Sequence, residues 1–169
     1  MYSGKGFTII ELLVVLLILG ILAAISLPRY KIVVTISQIK SVMPNLKSII
    51  QAQEVYYLET NVWTDDLDKI GISLPYSAKE SYVKGNKYTV MNGIIVVRKE
   101  KDIASFVHKN GIIVDLVFPM SNYYREDSIG LCYRNPDVTG SDTLAKEVCS
   151  RLGSLEFAGD GVDYYLISR

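Results

Sequence analysis

Four groups of residues in this 169-residue chain are of types that do chemistry. The first is Glu11, a lone carboxylate in the run Phe7–Leu27, whose other members are apolar or small apart from Thr8 and Ser26. A charged group at membrane depth costs about 3 kcal/mol on insertion scales, and such groups are normally kept for a partner or a pathway. The second group is the pair Cys132 and Cys149, both in the last quarter of the chain. The third is Asp65, Asp66 and Asp68, and the fourth is His108, the single histidine.

Three of these groups have plain readings. An even pair of cysteines outside the apolar run of an exported chain reads as one disulfide, with two unpaired buried thiols as the alternative. Zinc wants about four ligands, and His108 stands far from both cysteines in sequence. The aspartates lack the ligand spacing and the glycine of a calcium loop such as the EF-hand, so they read as solvated capping carboxylates. His108 sits beside a turn and reads as an exposed histidine. A phosphate loop, a Ser-His-Asp set and a metal motif are all missing, and Gly159-Asp160-Gly161 reads only as a turn. The chain is therefore expected to be no enzyme, with no catalytic residue, cofactor or metal. Eighteen basic side chains balance eighteen acidic ones, which offers little to phosphate, so no nucleic-acid partner is expected.

Glu11 needs the elements around it. Apolar residues make up 49% of the chain and charged ones 21%, and most of the positive mean hydropathy of +0.22 comes from the first 27 residues. The run 7–27 is long enough to cross a bilayer. A cleaved secretory signal would have a shorter apolar core, although Ala24-Ile25-Ser26 passes for a small-x-small cut site. An ordinary anchor has no use for Glu11. A third reading is an anchor that is also an assembly surface. Lys5 would hold the amino end on the cytoplasmic side. Gly6, without a side chain, lets a protease grip an extended backbone.

The stretch Gly6-Phe7-Thr8-Ile9-Ile10-Glu11-Leu12, with its short basic leader, followed by Gly20-Ile21-Leu22-Ala23-Ala24-Ile25 and Pro28, resembles a type IV prepilin. The likeness is tight over residues 1–30 and looser beyond, where it rests on architecture and the late cysteine pair; Ser26-Leu27 departs from the commoner alanine and isoleucine. The resemblance implies that a prepilin peptidase cuts between Gly6 and Phe7 and methylates the new amine on Phe7. Glu11 then becomes the fifth residue of a slightly acidic mature chain. The amine offers a positive partner to a carboxylate otherwise unpaired in lipid, and in pilins the two are thought to meet across neighbouring subunits. A helix starting at Phe7 places Glu11 about 6 Å along the axis from the amine. The alternative is that Glu11 snorkels at the headgroup edge. The resemblance also makes Gly20 and Pro28 assembly residues, in a stretch able to unwind as subunits enter a filament.

Beyond Pro28 the helical pattern continues. Ile32, Ile36, Ile39, Met43, Leu46, Ile50, Gln53 and Tyr57 recur at spacings of four and three, a heptad stripe interrupted by Gln53 and suited to packing on a sheet. Pro28 and Pro44 each remove a helical hydrogen bond and favour a kink, and Glu59-Thr60-Asn61 ends the helix. Thr64–Leu67 reads as a cap and a short helical turn, with Trp63 packing this loop on the head. Two hairpins are expected, Lys87–Met91 with Ile94–Arg98 about Asn92-Gly93, and Asp102–Lys109 with Ile112–Phe118 about Asn110-Gly111. Leu144–Arg151 reads as a short helix and Val162–Ile167 as a last strand. The polar, turn-rich Asn135–Asp142 lies between the cysteines and resembles the disulfide-bounded variable loop of pilins. Most of the tyrosines, Tyr123-Tyr124 and Tyr164-Tyr165 among them, read as packing residues, with adhesion as the alternative.

The expected fold is α+β: a long N-terminal α-helix, half transmembrane and half amphipathic, packed on an antiparallel sheet of about four strands, with a C-terminal disulfide-bounded loop. Its parts are the leader 1–6, the transmembrane and assembly helix 7–27, the amphipathic half 28–60, and the head 61–169 with its disulfide region 132–149. The expected function is a structural subunit of a type IV pilus for adhesion and twitching motility. The alternatives are a pseudopilin of a type II secretion system, a minor or competence pilin, or, in a different class, a membrane-anchored sensory or sugar-binding domain. The implied partners are copies of itself, the prepilin peptidase, the assembly platform with its ATPase, and the inner membrane that holds the chain before it reaches an extracellular pilus.

Overall fold

The computed structural model describes residues 6–75, 78–82, 85–98, 103–117, 128–136, 142–159 and 162–168. Helix α1 spans Ile9–Thr60. Strands β1 (Ala78–Tyr82), β2 (Gly85–Val90), β3 (Gly93–Arg98), β4 (Ile103–His108), β5 (Ile112–Val117) and β6 (Ser128–Arg134) follow. Helix α2 (Asp142–Leu152) then leads to β7 (Ser154–Gly159) and β8 (Val162–Ser168). The class is the expected α+β, but the sheet is larger than about four strands: it has eight, in the order β1-β2-β3-β4-β5-β6-β8-β7. All neighbours pair antiparallel. The first six strands form a meander, and β8 enters between β6 and β7.

Both ends of α1 carry a cause in the sequence. Thr8 caps its start, and at its end Asn61 adopts the left-handed conformation (φ 56°) and donates its N–H to the Tyr57 carbonyl at 2.7 Å. Asparagine tolerates that conformation better than most residues. The helix passes through Pro28 and Pro44 as one element of 52 residues. Nearby hydroxyls bond its backbone: Ser26 Oγ donates to the Leu22 carbonyl at 2.7 Å and Ser48 Oγ to that of Pro44 at 3.0 Å.

The buried face of α1 is turned from the expected stripe. Thr35, Ile39, Val42, Leu46, Ile49 and Gln53 are buried, whereas Ile32, Ile36, Met43, Ile50 and Tyr57 are only half-buried. The two sets share Ile39, Leu46 and Gln53, so the centre line holds while its flank moves one residue back. Ile39, Leu46 and Ile49 pack with Tyr88, Ile95, Val97, Phe106, Ile112, Val114 and Leu116 from one face of the sheet. Helix α2 adds Ala145, Val148 and Cys149 to the same core.

The turns also differ from expectation. Val90 pairs with Gly93, so the first hairpin turns on Met91-Asn92, and Gly93 lies in β3. A Cβ on Gly93 would stand 2.1 Å from the Val107 carbonyl oxygen, so glycine is there because the backbones approach closely. In the second hairpin Gly111 does take the turn conformation, at φ +77°, with its N–H on the His108 carbonyl at 2.8 Å.

Two side-chain expectations are corrected. His108 is 1% exposed, because the β4–β5 turn folds against α1 and brings Nε2 to 2.9 Å from Gln38 Oε1. Thr64 Oγ1 accepts from the Asp66 N–H at 3.2 Å, and a run of turns follows over Leu67–Gly71. Asp66 and Asp68 both bind the Lys79 ammonium of β1, at 2.6 and 3.1 Å, which the reading as solvated capping groups did not foresee. Residues 1–5 of the expected leader, Tyr123-Tyr124, residues 137–141 of the loop after Asn135, Asp102, Phe118 and Asp160-Gly161 lie outside the described residues.

Candidate assembly site

The start of α1 is a capping box. Thr8, extended at φ −81° and ψ 150°, accepts the Glu11 N–H on its Oγ1 at 3.3 Å. Glu11 Oε2 in return accepts from Thr8 N–H at 2.9 Å and from Thr8 Oγ1 at 2.8 Å. This reciprocal arrangement satisfies donors that a helix start otherwise leaves open, and it places a negative group where the helix dipole favours one. Both bonds use Oε2; neither uses Oε1. The sequence reading missed Thr8, although Thr-x-x-Glu ahead of an apolar run is a recognisable signal.

The apolar run has no cover of its own. Phe7 is 80% exposed, and from Ile9 to Leu27 no residue is buried within the chain. Head and anchor are thus separate: contacts from α1 to the sheet are made by its second half, on β4 and β5. A helix of this length and character can cross a membrane.

The structure brings Phe7, Thr8 and Glu11 together at one helix end. Gly20 and Pro28 lie further along, about 13 and 25 Å down the axis at the ordinary helical rise. A Cβ on Gly20 would meet nothing within 4 Å, so this chain alone gives no packing reason for glycine there. At the far end of the molecule Cys132 of β6 and Cys149 of α2 form a disulfide, with Cα atoms 5.5 Å apart. It ties α2 to the sheet, and in the chain-entropy account closing a loop of this size is worth about 3 kcal/mol. Beside it Arg134 pairs with Asp142 at 2.6 Å and Lys146 with Asp163 at 2.9 Å. On the sheet face away from α1, the Tyr133 hydroxyl donates to Asp115 Oδ2 at 2.8 Å, and burial with that carboxylate drives the phenol pKa far upward. These are ties within the fold; among the described residues, no group of three or more histidine, cysteine or carboxylate side chains could hold a metal ion.

Comparison with known proteins agrees with the helix start. The prokaryotic N-terminal methylation motif matches residues 1–27. The chain is 37% identical over 91 residues to the type IV major pilin protein PilE of Neisseria gonorrhoeae, covering 54% of this chain and 53% of that protein. It is 33% identical over 94 residues to a fimbrial protein of Neisseria meningitidis serogroup B, covering 56% and 54%. To the type IV major pilin protein PilA of Myxococcus xanthus it is 36% identical over 70 residues, covering 41% and 32%. The chain spans about half the length of the first curated relatives it matches. No solved structure matches it. The methylation motif, the pilin relatives, and a fold that sets a long apolar-ended helix against an antiparallel sheet with a late disulfide together make the chain similar to type IV pilins.

Proposed function

We propose that this chain is a structural subunit of a type IV pilus. In this reading a prepilin peptidase cuts between Gly6 and Phe7 and methylates the Phe7 amine. The inner membrane holds the subunit by residues 7–27 until an assembly platform and its ATPase lift it into a helical filament, which serves adhesion and twitching motility. The observation that carries the reading is the pairing of an uncovered apolar helix with a carboxylate at its amino end. Lipid solvates the apolar side chains and does nothing for Glu11, whereas other copies of the same helix can do both. A neighbour's amine would find Oε1 of Glu11 while Oε2 stays on Thr8. The resulting contact is head-to-tail and does not close on itself, the geometry that builds fibres. The disulfide-bounded carboxyl-terminal region favours a pilin over the major pseudopilin of a secretion system.

Electron microscopy of cells whose only copy of the chain carries Glu11→Ala tests this reading. It predicts a subunit present in the membrane and no surface filaments. Normal filaments in those cells would remove the role given to Glu11.

A further inference from the structure

We propose that His108 forms an acid-sensitive joint where the head meets α1: its neutral imidazole holds the β4–β5 turn in the shape that docks on the middle of α1, and protonation breaks the bond the ring accepts within that turn. The ring is buried, and both of its nitrogens are engaged. The Asn110 backbone N–H donates to Nδ1 at 3.1 Å. That bond requires Nδ1 to be bare, so the proton sits on Nε2 and is donated to Gln38 Oε1 at 2.9 Å. Asn110 Nδ2 reaches Thr35 Oγ1 at 3.5 Å, one helical turn before Gln38. One small polar cluster thus joins two segments about seventy residues apart in sequence.

A second proton on the ring would set an N–H on Nδ1 against the N–H of Asn110. The Nε2–H bond to Gln38 Oε1 survives that second proton, so the bond lost is the turn's own, and the charges nearby do not favour the cation. Lys109 follows in the turn, and Lys31 and Lys40 of α1 are exposed cations. From β3 the ring's strand neighbour is Gly93, and from within β4 Phe106 meets it edge-on at 6.1 Å. Beyond β5, Arg134 of β6 is held by Asp142. Among the described residues no carboxylate bonds the ring. Burial first, and the Lys109 charge second, hold the imidazole below the ordinary histidine pKa.

The sign follows from linkage. The group binds its proton less readily folded than unfolded, so its contribution to stability is whole above the unfolded pKa of about 6.5. It falls as pH drops below that value, by at most about tenfold in the folding constant per pH unit, until the folded pKa is reached. The β4–β5 turn, which carries Asn110 to Thr35 of α1, therefore loosens in mild acid.

Because His108 is the only histidine, its ring can be followed without ambiguity in the full chain in detergent micelles. Nitrogen NMR from pH 8 to pH 4 should show the Nε2–H tautomer and a titration midpoint below about 6.5. Thermal unfolding over the same range should show a loss below pH 6.5 that His108→Gln lacks and that Gln38→Glu, which places an anion against the ring, reduces. An Nδ1–H tautomer, or a midpoint at or above the free-histidine value, overturns the proposal. So does an unchanged acid response in His108→Gln. If that variant does not fold, the titration of the native ring decides alone.

Discussion

Gln53, near the carboxyl end of α1, and Thr64, in the loop that leaves it, clasp each other through two hydrogen bonds. Gln53 Nε2 donates to the Thr64 carbonyl, and the Thr64 N–H donates to Gln53 Oε1 at 3.3 Å. Both residues are buried. Tyr57 stacks on Trp63 beside them, with ring centroids 4.3 Å apart and planes 16° from parallel. The residue that interrupts the apolar stripe is thus the one that fixes how the chain turns from helix to head.

Removing the clasp should be expensive. Gln53→Ala leaves a buried N–H and a buried carbonyl without partners, each costing about 1–3 kcal/mol, so about 2–6 kcal/mol of stability should be lost. Thermal unfolding of the detergent-solubilised chain measures it. A loss well under 1 kcal/mol would mean that water replaces the amide at no cost.

Gly93 and its neighbour should separate close backbone approach from turn chemistry. Gly93→Ala drives a Cβ toward the Val107 carbonyl and should cost on the order of 3 kcal/mol, whereas Asn92→Ala in the turn should cost under about 1 kcal/mol. Equal losses in an unfolding experiment would return the turn to Asn92-Gly93.

These contacts mark where the sequence stops being legible. The carboxyl end of α1 is readable because Asn61 acts on its immediate neighbours. The apolar strands β2 to β5 and the last strand β8 show themselves by composition and turn residues. Strands β1, AKESY, and β7, SLEFAG, do not, since nothing in so short and mixed a run separates strand from loop. The burial of His108 depends on Gln38, and the role of Gln53 on Thr64; both pairings exist only once the head has docked on α1. The stripe shows the same limit: Ile36, Met43 and Ile50 are as apolar as Val42 and Ile49, and the sheet, not periodicity, selects between them. At the assembly site the charge anomaly of Glu11 was visible, while its bond to Thr8 was a local motif passed over.

Gly20 offers a test with opposite signs in subunit and filament. Gly20→Ala meets no atom within the chain and should stabilise α1 by about 1 kcal/mol. If the stretch from Gly20 to Pro28 unwinds on assembly, the same change should lower filament yield in cells. Undiminished filaments with continuous helix through residues 20–28 in a filament map would leave Gly20 without an assembly role.

The central claim, that the chain is processed and built into a surface filament, is tested most directly by mass spectrometry of filaments sheared from cells. The account predicts this chain in that material, beginning at Phe7 with one methyl group on its amine. A chain still beginning at Met1, or filaments that do not contain it, would contradict the account.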